Sequence, residues 1–589
     1  MAGGDERRSD SKGPRYGSDV VVDVLREQGI KYLAMNPGAS FRGLHDSLVN
    51  YAQGRPQMLE TPHEKIAVGM AHGYAKATGM PMGVVTHDLV GLLHATLGVY
   101  YAYIDRVPML VLGGAGPMNA ARRRPWIDWI HTAKLQNTAV RDFTKWDDHP
   151  FSVDAIPDSL ARAYRVASAH PQGPVYIALD ADLQEQPLDG DVSTDSSPPT
   201  SSRLGPDPQA LESLAAMLAA AERPLLVAGA VGRDPVMWEV LQRLAWLLAA
   251  GVIDTNVRLN FPSRHPLNLT GTDAGDDADL VLLLDVKDIG QHTQLLSKES
   301  RGARPRLALG ARVAEIGFGD IGISSWSADY GSWYHTDLSI VADTSVALPM
   351  LLDRCTQLVT QQRDREAGRE QRRARLSEAH NRRWLAWAQK AQEDDSPERL
   401  MSTARLVAEV GDVVREQDWV LTAGTGNGWA SRLWDFDRPY RHPGRSLGTA
   451  TQIGISLGVA LAHKGTGRLV IDLQPDGDLL FDASALWVAS RHQIPMLVVM
   501  VNNRAYNNDW IHQRHMAEVR GTPVERAGIG VVIDDPAPDF AVLARSFGWH
   551  STGPLTRPGQ VGPAVARAAE IVATTQSPAL VDVICRPDD

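Results

Sequence analysis

Apolar and polar positions along the first third of this chain fall into blocks whose period changes several times. Short apolar runs indicate buried strands, and longer stretches with apolar residues every three or four positions indicate helices. The predicted strands are Tyr32–Met35, Met82–Thr86 and Pro108–Gly113, and the predicted helices are Val20–Gln28, Glu64–Thr78 and Gly91–Ile104. This alternation predicts repeated βα winding of a mostly parallel sheet.

The same alternation continues through the middle and the last third. The predicted strands there are Pro224–Ala228, Asp279–Leu284, Leu338–Ala342, Trp419–Ala423, Leu469–Leu473 and Met496–Val501, with helices at Val236–Ala249 and Phe481–His492. The segment from Asn507 to Pro523 is polar and has no strong helix or strand signal. We therefore predict an irregular lid or substrate-facing segment there.

Two segments of unusual composition separate the α/β regions. Asp189–Pro206 is rich in Ser, Thr, Pro and Asp, which is typical of a surface linker, and Asp364–Lys390 is a helix with interspersed charges. The predicted divisions are a disordered N-terminus at 1–16, a first domain at 17–188, a linker at 189–206, a central domain at 207–355, a charged linker helix at 356–396 and a C-terminal domain at 397–589.

Composition narrows the class of protein. The chain has 589 residues, a length typical of three or four domains, and its 43% apolar and 22% charged residues are those of a globular protein. The net charge of −11 argues against nucleic-acid binding, and no apolar run approaches a membrane span. Cys355 and Cys585 are the only cysteines, so disulfide stapling is not expected. A cytoplasmic protein without nucleic-acid or membrane partners is predicted.

Polar oxygen ligands follow two neighbouring strands of the last third. Asp476 comes directly after the strand Leu469–Leu473 and its Asp-Gly turn, and Asn503 follows the strand Met496–Val501. Parallel strands joined by a right-handed crossover bring these residues to one carboxyl edge of a sheet. A carboxylate, an amide oxygen and a free carbonyl suit Mg²⁺. The alternative is that Asp-Gly and Asn-Asn are ordinary turn residues.

The interval from Asp476 to Asn503 resembles the metal motif of thiamine diphosphate enzymes, Gly-Asp-Gly followed by Asn-Asn, with Pro475 at the first glycine. The resemblance implies that Asp476, Asn503 and the backbone oxygen of Ala505 hold Mg²⁺. It further implies that the residues Gly477, Asp478, Asn503 and Tyr506 contact the cofactor.

The run from His63 to Ala75 resembles the cofactor-activating helix of the same family. By that resemblance, Glu64 contacts the pyrimidine N1′ of thiamine diphosphate, which is general acid–base work in a desolvated site. The alternative for a glutamate at a helix start is stabilisation of the helix dipole alone.

Two histidines are further catalytic candidates. His87 follows a strand end, and its placement resembles the active-site histidine of benzoylformate decarboxylase, where imidazole transfers protons. His94 stands where the family often has asparagine. The alternative for His87 is a histidine that is merely hydrogen-bonded at a strand end. Where that decarboxylase has a serine, this chain has Ala39, with Ser40 one position later, which puts benzoylformate itself in doubt as the substrate.

Two further segments of the last third correspond to cofactor contacts of the family. The loop residues Gly424, Thr425 and Gly426 follow a predicted strand, where backbone amides can approach a phosphate. By position, Ile453 resembles the apolar wedge between the two cofactor rings, and the carbonyl of Thr451 resembles the acceptor for the 4′-amino group. Ile453 is alternatively an ordinary core residue.

Together the motifs identify the chain as a member of the acetolactate synthase and benzoylformate decarboxylase family of thiamine diphosphate enzymes. The resemblance implies three doubly wound α/β domains (pyrimidine-binding, central Rossmann-like and diphosphate-binding) and a homodimer or homotetramer with active sites at subunit interfaces. No glycine-rich dinucleotide fingerprint directly follows a strand in the central region, so no FAD is expected.

The expected function is decarboxylation or carboligation of a small 2-oxo acid or acyl substrate with thiamine diphosphate and Mg²⁺. The alternatives are a 2-hydroxyacyl-CoA lyase and a non-catalytic assembly protein on the same fold.

Overall fold

The computed structural model describes residues 15–194, 201–273, 276–297, 302–322, 334–393, 399–422, 424, 428–445 and 448–587. The chain divides into two compact units, one formed by Met1–Ala75 with Met80–Ser201 and the other by Lys76–Gly79 with Ser202–Asp589. Of the N-terminus predicted to be disordered at 1–16, residues 1–14 lie outside the described residues, whereas Arg15 pairs with Asp23 and Tyr16 forms a β-bridge with Pro187. Among the described helices, none combines the length and apolarity that crossing a membrane requires.

The N-terminal region is built on a six-stranded parallel sheet in the order β2-β1-β3-β4-β6-β5. Its elements are α1 (Gly17–Glu27), β1 (Tyr32–Met35), α2 (Arg42–Asp46), β2 (Gln57–Glu60), α3 (Glu64–Thr78), β3 (Met82–Thr86), α4 (Asp88–Ile104), β4 (Met109–Ala115), α5 (Ile127–His131), β5 (Asp147–Asp148), α6 (Ile156–Ser168), β6 (Pro174–Asp180) and α7 (Ala181–Glu185). Strands β3, β4 and β6 are buried along their whole length, as expected for a parallel sheet covered on both faces.

The predicted βα winding of this region is confirmed, with one helix longer than predicted. Helix α4 begins at Asp88 rather than Gly91, because the N–H of Gly91 already donates a helical hydrogen bond to the carbonyl of His87 at 2.7 Å. His87 is consequently the residue that precedes the helix, at the carboxyl end of β3.

The central region contains a five-stranded parallel sheet in the order β13-β12-β9-β7-β8, with a separate antiparallel pair β10-β11. Its elements are α8 (Pro208–Ala220), β7 (Pro224–Ala228), α9 (Met237–Leu248), β8 (Gly251–Asp254), β9 (Leu280–Leu284), α10 (Ile289–Thr293), β10 (Gln294–Leu296), β11 (Ala303–Pro305), β12 (Arg312–Gly317), β13 (Leu338–Val341) and α11 (Thr344–Gln361). Strands β8 and β12 were not predicted, because Gly251, Arg312 and Glu315 interrupt their apolar runs.

Helix α11 continues past residue 355, the predicted end of the central domain, and the charged helix α12 (Glu366–Gln392) follows it. Arg372 of α12 donates hydrogen bonds to the carbonyls of Ala249 at 2.9 Å and Leu248 at 3.0 Å, at the end of α9. A cation at a helix C-terminus satisfies exposed carbonyls and complements the helix dipole. Charge in α12 therefore serves packing as well as solvation.

The C-terminal region is a five-stranded parallel sheet in the order β14-β15-β16-β18-β17. Its elements are α13 (Thr403–Val414), β14 (Trp419–Leu421), α14 (Ala430–Leu433), α15 (Gln452–His463), β15 (Leu469–Pro475), α16 (Asp476–Phe481), α17 (Ala485–Arg491), β16 (Leu497–Asn502), α18 (Asn507–Arg520), α19 (Phe540–Ser546), β17 (His550–Leu555), α20 (Val561–Thr575) and β18 (Ala579–Ile584). The predicted α/β class with three doubly wound parallel sheets is confirmed.

The helix predicted at Phe481–His492 is α17, which begins four residues later, at Ala485, because the chain leaves helical geometry at Asp482 after α16. Another local prediction in this region is wrong. The segment predicted to be irregular after Tyr506 is helix α18, which ends at Gly521 in the left-handed conformation (φ +64°). Only Ala517 is buried in α18, so its sequence carries little of the apolar periodicity by which helices are recognised.

Candidate active site

Strands β15 and β16 place the two predicted metal ligands at one edge of the C-terminal sheet. The strands pair in parallel, with Pro475 opposite Val501. Asp476 directly follows β15, and Asn503 directly follows β16. The sheet thus brings a carboxylate and an amide together across 27 residues of sequence, counted from Asp476 to Asn503.

The carboxylate of Asp476 is buried, with only 2% of the residue exposed. Its Oδ1 accepts a hydrogen bond from the N–H of Gly477 at 2.8 Å, whereas its buried Oδ2 has no hydrogen-bond partner among the described residues. Burial raises the pKa of Asp476 to about 6, against the opposing effect of nearby backbone amides, including those of Gly477, Arg504 and Ala505. A buried carboxylate oxygen without a donor fits a hard cation such as Mg²⁺.

Asn503 and Ala505 lie in a tight loop that closes the same edge. The Oδ1 of Asn503 accepts the N–H of Ala505 at 3.0 Å, and Arg504 between them has a φ of +56°. Residues 531–533 bridge this loop in antiparallel fashion: Tyr506 N–H donates to the carbonyl of Val531 at 2.8 Å, and Ile533 N–H donates to the carbonyl of Arg504 at 2.7 Å. Sequence reasoning found no role for residues 531–533, because a bridge of this kind leaves no local pattern.

Asp478 connects the predicted metal-binding loop to the predicted ring-holding segment. Its buried carboxylate accepts hydrogen bonds from the backbone N–H of Ala450 and from that of Gln452 at 3.2 Å. Ala450 has a φ of +68°, a conformation that a non-glycine residue adopts only when its surroundings enforce it. Asp478 therefore orders the entry to α15 as well as the turn after β15.

The two residues predicted to hold the cofactor rings sit at the start of α15. Ile453 is fully buried in the first turn of the helix, and Thr451 precedes that turn. The carbonyl of Thr451 accepts the N–H of Ile455 at 3.1 Å, and a carbonyl oxygen has a second lone pair for another donor. Both positions are consistent with the prediction, which no contact within this chain tests.

Gly477 packs directly against an aromatic ring. A Cβ atom at this glycine would lie 2.6 Å from Cε1 of Tyr506, closer than side chains tolerate. The ring of Tyr506 in turn lies 6.2 Å from that of Phe481. The absence of a side chain at Gly477 thus lets Tyr506 lie flush against the turn that follows β15.

The predicted phosphate loop is described only in part. Gly424 is buried, and its N–H donates to the carbonyl of Thr422 at 2.9 Å. Thr425 and Gly426 lie outside the described residues.

In the N-terminal region, Glu64 opens helix α3 and is 3% exposed. A Cβ at Gly91 would lie 2.6 Å from its Oε1, so α4 passes directly beside this carboxylate. Further along, a Cβ at Gly98 would lie 2.7 Å from Cγ1 of Val68. Glycines seven positions apart on α4 therefore allow the close helix contact that buries Glu64.

His94 lies beside Glu64. Its Nδ1 is 3.3 Å from Oε2 of Glu64, and its ring stacks on that of His63 at 4.7 Å between centroids. The polar atoms of the three side chains lie within 4.8 Å of one another. The side chain of His94 is 60% exposed, so its ring lies between Glu64 and solvent.

His87 is held by residues that sequence reasoning did not assign to the site. Its Nδ1 lies 2.8 Å from Oγ of Ser40, and a Cβ at Gly38 would lie 2.6 Å from its Cγ. Burial, followed by the nearby His131, lowers the pKa of His87. Ala39 and Ser40 were noted in the sequence, but the inward direction of Ser40 depends on a contact 47 residues away.

A second unpredicted group lies behind His87. Asp88 is buried, has a φ of +40°, and its pKa is raised to about 7, first by burial and then by Asp128. Oγ1 of Thr132 lies 3.5 Å from Oδ2 of Asp88, and the ring of His131 is 5.2 Å from that of His87. His87 thus sits among titratable groups, which is typical of a site that moves protons.

A cavity of about 560 Å³ lies elsewhere, between α12 and α13, and its lining includes Trp384, Arg264 and Trp434. It shares no lining residue with the segments described above. This cavity is therefore not part of the candidate active site.

Comparison with known families agrees with this geometry. The N-terminal thiamine pyrophosphate (TPP) binding domain of TPP enzymes matches residues 15–138, and the C-terminal TPP binding domain matches residues 422–583. These two matches contain the Glu64 and His87 region and the Asp476 to Asn503 motif, respectively.

Similar proteins include a synthase and decarboxylases. The chain is 26% identical over 608 residues to the probable acetolactate synthase 2 of Oryza sativa subsp. japonica, covering 97% of this chain and 83% of that protein. It is 26% identical over 550 residues to a probable 2-ketoarginine decarboxylase of Pseudomonas aeruginosa, covering 90% of this chain and 86% of that protein.

Solved structures share the fold. A thiamine diphosphate-dependent 4-hydroxybenzoylformate decarboxylase of Rhodococcus jostii superposes with a TM-score of 0.75 at 20% identity, over 98% of this chain and all of that one. Benzoylformate decarboxylase of Polynucleobacter necessarius gives 0.72 at 17% identity, over 97% of this chain and 99% of that one. With both TPP-binding domains in place on the three-sheet fold, the chain belongs to the thiamine pyrophosphate enzymes of the acetolactate synthase and decarboxylase family.

Proposed function

We propose that this protein uses thiamine diphosphate and Mg²⁺ to cleave or form a carbon–carbon bond next to the carbonyl of a small 2-oxo acid, as a decarboxylase or a carboligase. The observation that carries the proposal is the buried Oδ2 of Asp476, which has no donor among the described residues and lies at the sheet edge shared with Asn503. Such an oxygen is suited to bind a hard cation, and the match to the TPP-binding domain supports a metal at this position.

The metal and the cofactor tail are assigned to the C-terminal region. Asp476, Asn503 and the carbonyl of Ala505 hold the Mg²⁺ ion. The amides of Gly477 and Asp478 and the loop at Gly424–Gly426 hold the diphosphate, and Tyr506 lies against Gly477 beside them. The role of the chain here is to neutralise the diphosphate charge and fix its position.

The reacting end of the cofactor is assigned to Thr451, Ile453 and Glu64. Ile453 and the carbonyl of Thr451 orient the rings, and Glu64 holds a proton on the pyrimidine nitrogen from its buried position on α3. When bound, thiamine diphosphate supplies an electron sink for cleavage next to a carbonyl. His87 holds or moves a proton at the substrate. His94 holds or moves a proton at Glu64.

Glu64 belongs to the first compact unit and Asp476 to the second. We assign them to one cofactor across the subunit interface of a homodimer or homotetramer. Co-expression of Glu64→Gln with Asp476→Asn chains tests this assignment. Mixed dimers then contain one intact site, so about a quarter of the wild-type sites should recover activity. Full absence of recovery in verified mixed dimers would contradict a shared site.

The central domain is proposed to carry no FAD. Arg233, after β7, pairs with Asp285 after β9 and with Asp343 after β13, the latter at 2.6 Å, and lies 5.2 Å from the ring centroid of Phe318. These ion pairs span the sheet edge where a nucleotide would bind in such a fold. Flavin absorbance in the purified protein, or a thermal shift on adding FAD, would refute this point.

A cytoplasmic location is also proposed, since both cysteines are buried thiols and neither takes part in a disulfide.

The function is tested with a panel of 2-oxo acids that includes 2-ketoarginine, benzoylformate and pyruvate, with and without aldehyde acceptors, read by product mass. Cofactor-dependent CO₂ release or ligation products are expected with at least one of them. Cleavage only of 2-hydroxyacyl-CoA thioesters would favour the lyase alternative. Cofactor binding without exchange of its C2 proton would favour a non-catalytic assembly protein.

A further inference from the structure

Ser40 and His87 form a hydrogen bond whose direction follows from their surroundings. Oγ of Ser40 lies 2.8 Å from Nδ1 of His87, and the backbone N–H of Asp88 donates to the same Oγ at 3.2 Å. The Ser40 hydroxyl therefore accepts a hydrogen bond from the N–H of Asp88, and it can donate its own single proton to one acceptor.

The proton of this hydroxyl has one acceptor within reach among the described residues. Ser40 is fully buried, and its hydrogen-bond neighbours in that part of the chain are the Asp88 N–H, which is a donor, and Nδ1 of His87. Buried polar protons are almost always hydrogen-bonded. If Nδ1 itself carried a proton, two donors would face one oxygen and the Ser40 hydroxyl would be left without an acceptor.

We propose that Ser40 donates to Nδ1 of His87 and thereby holds the neutral imidazole as the Nε2–H tautomer, so that His87 presents a hydrogen-bond donor to the substrate and not a base. Ser40 is thus a positioning residue. The role of His87 toward substrate rests on the proposed function above, whereas the tautomer is a property of the chain without cofactor or substrate.

Packing supports a fixed ring. A Cβ at Gly38 would lie 2.7 Å from Nδ1, so the turn after β1 closes one side of the imidazole, and His131 lies 5.2 Å from it on another. Burial, His131 and Arg124 lower the pKa of His87, while Glu64 acts in the opposite direction. The imidazole is accordingly neutral near pH 7, and Nδ1 is able to accept.

The consequence is a defined chemical role. A neutral imidazole with its proton on Nε2 donates a hydrogen bond to a carbonyl or carboxylate oxygen and polarises it, without taking up a proton first. A substrate that matches this donor has a carbonyl or carboxylate oxygen next to the reacting carbon, as a 2-oxo acid has.

The test is a long-range ¹H–¹⁵N spectrum of histidine-labelled protein without cofactor, in which His87→Gln identifies the His87 signals. We expect Nδ1 to have the shift of an unprotonated acceptor and Nε2 that of a protonated nitrogen. A protonated Nδ1, or an equal mixture of tautomers, would overturn the proposal. The spectrum reports the tautomer of His87 without any measurement of activity. If no 2-oxo acid in the panel reacts, the proposed function fails, but the tautomer of His87 is still determined by the spectrum.

Variants at Ser40 separate positioning from packing. Ser40→Ala removes the donor and should move both nitrogen shifts toward a tautomer mixture, with kcat reduced more than KM is changed. Ser40→Thr keeps the hydroxyl and should keep the wild-type shifts. A folded Ser40→Ala protein with wild-type shifts contradicts the proposal. If Ser40→Ala does not fold, the wild-type spectrum alone decides.

Discussion

The carboxylate of Asp478 accepts the backbone N–H of Gln452 at 3.2 Å, and the same carboxylate accepts the N–H of Ala450. Asp478 stands two residues after the predicted metal ligand Asp476, whereas Gln452 is the first residue of α15. One side chain therefore fixes the predicted diphosphate turn and the predicted ring-holding segment relative to each other. Disturbing one should disturb the other.

Replacement of Asp478 tests this coupling. Asp478→Ala should weaken thiamine diphosphate binding by about fivefold or more, since the loss of a helix-capping carboxylate costs about 1 kcal/mol and here also releases Ala450 from its strained conformation. Titration followed by protein fluorescence measures the affinity. Asp539→Ala is the matched control, because Asp539 likewise caps a helix, accepting Val542 N–H at 2.8 Å, in an element without predicted cofactor contacts. Equal effects of both variants on affinity would contradict the coupling.

Asp476→Asn should abolish the stabilisation that Mg²⁺ and thiamine diphosphate give together. A ligand that binds only the folded state raises Tm by mass action, and the neutral amide loses roughly 10- to 100-fold or more in metal affinity. Without ligands the variant should be no less stable than wild type, because burial of the carboxylate has already raised its pKa to about 6. Paired thermal melts with and without ligands measure both effects. A full ligand-induced shift in the variant would remove Asp476 from the metal site.

Gly477→Ala should impair cofactor binding through a steric conflict. The added Cβ would lie 2.6 Å from the Tyr506 ring, so either the ring or the turn must move. Tyr506→Leu in the same chain should relieve part of the defect, giving a coupling energy of about 0.5–3 kcal/mol between neighbouring positions. Cofactor affinities of the wild type, both single variants and the double variant complete the cycle. Strict additivity would show that the two residues do not interact.

The buried Asp472 of β15 should make stability depend on pH. Gln452 donates to its Oδ1 at 2.9 Å, yet burial raises the pKa of Asp472 to about 7 from an ordinary value near 3.8. Ionisation of Asp472 is therefore less favourable in the folded chain than in the unfolded chain. The contribution of Asp472 to the free energy of unfolding is greatest below pH 3.8 and falls by roughly a few kcal/mol as the pH rises toward 7.

Asp472→Asn keeps the acceptor oxygen and removes the charge, so its stability should vary less than that of the wild type between pH 5 and pH 8. Urea denaturation at several pH values across this range gives the comparison. Parallel curves for the two proteins would mean that Asp472 is already ionised in the folded protein at pH 5, so that burial does not raise its pKa as stated.

Glu64→Gln should slow exchange of the cofactor C2 proton by about 10² or more while leaving the fold intact, because positioned acid–base groups contribute factors of this size. Proton NMR of deuterium exchange in bound thiamine diphosphate measures it. Glu27→Gln, at the exposed end of α1, is the control. Unchanged exchange would remove Glu64 from the mechanism.

Much of the candidate site could be predicted from sequence because it depends on local order. Strand β15, a crossover and strand β16 follow one another in the chain, so parallel pairing alone brings Asp476 and Asn503 to one edge. The apolar run of β3 likewise places His87 at a strand end. The domain boundaries at 188, 207, 355 and 397 stay predictions, which limited proteolysis with mass analysis of the fragments would test.

Other features were decided by tertiary structure alone. The Ser40–His87 bond, the Asp478–Ala450 bond and the bridge from residues 531–533 each join segments 25 or more residues apart, without a repeating pattern in either partner. Helix α18 shows the complementary case, because a helix with one buried residue lacks the periodic signal that burial imposes on sequence. Periodicity records which face of an element is buried, and the sequence by itself therefore determines the elements and their order. Which polar side chain meets which depends on how those elements pack, and only the folded chain decides it.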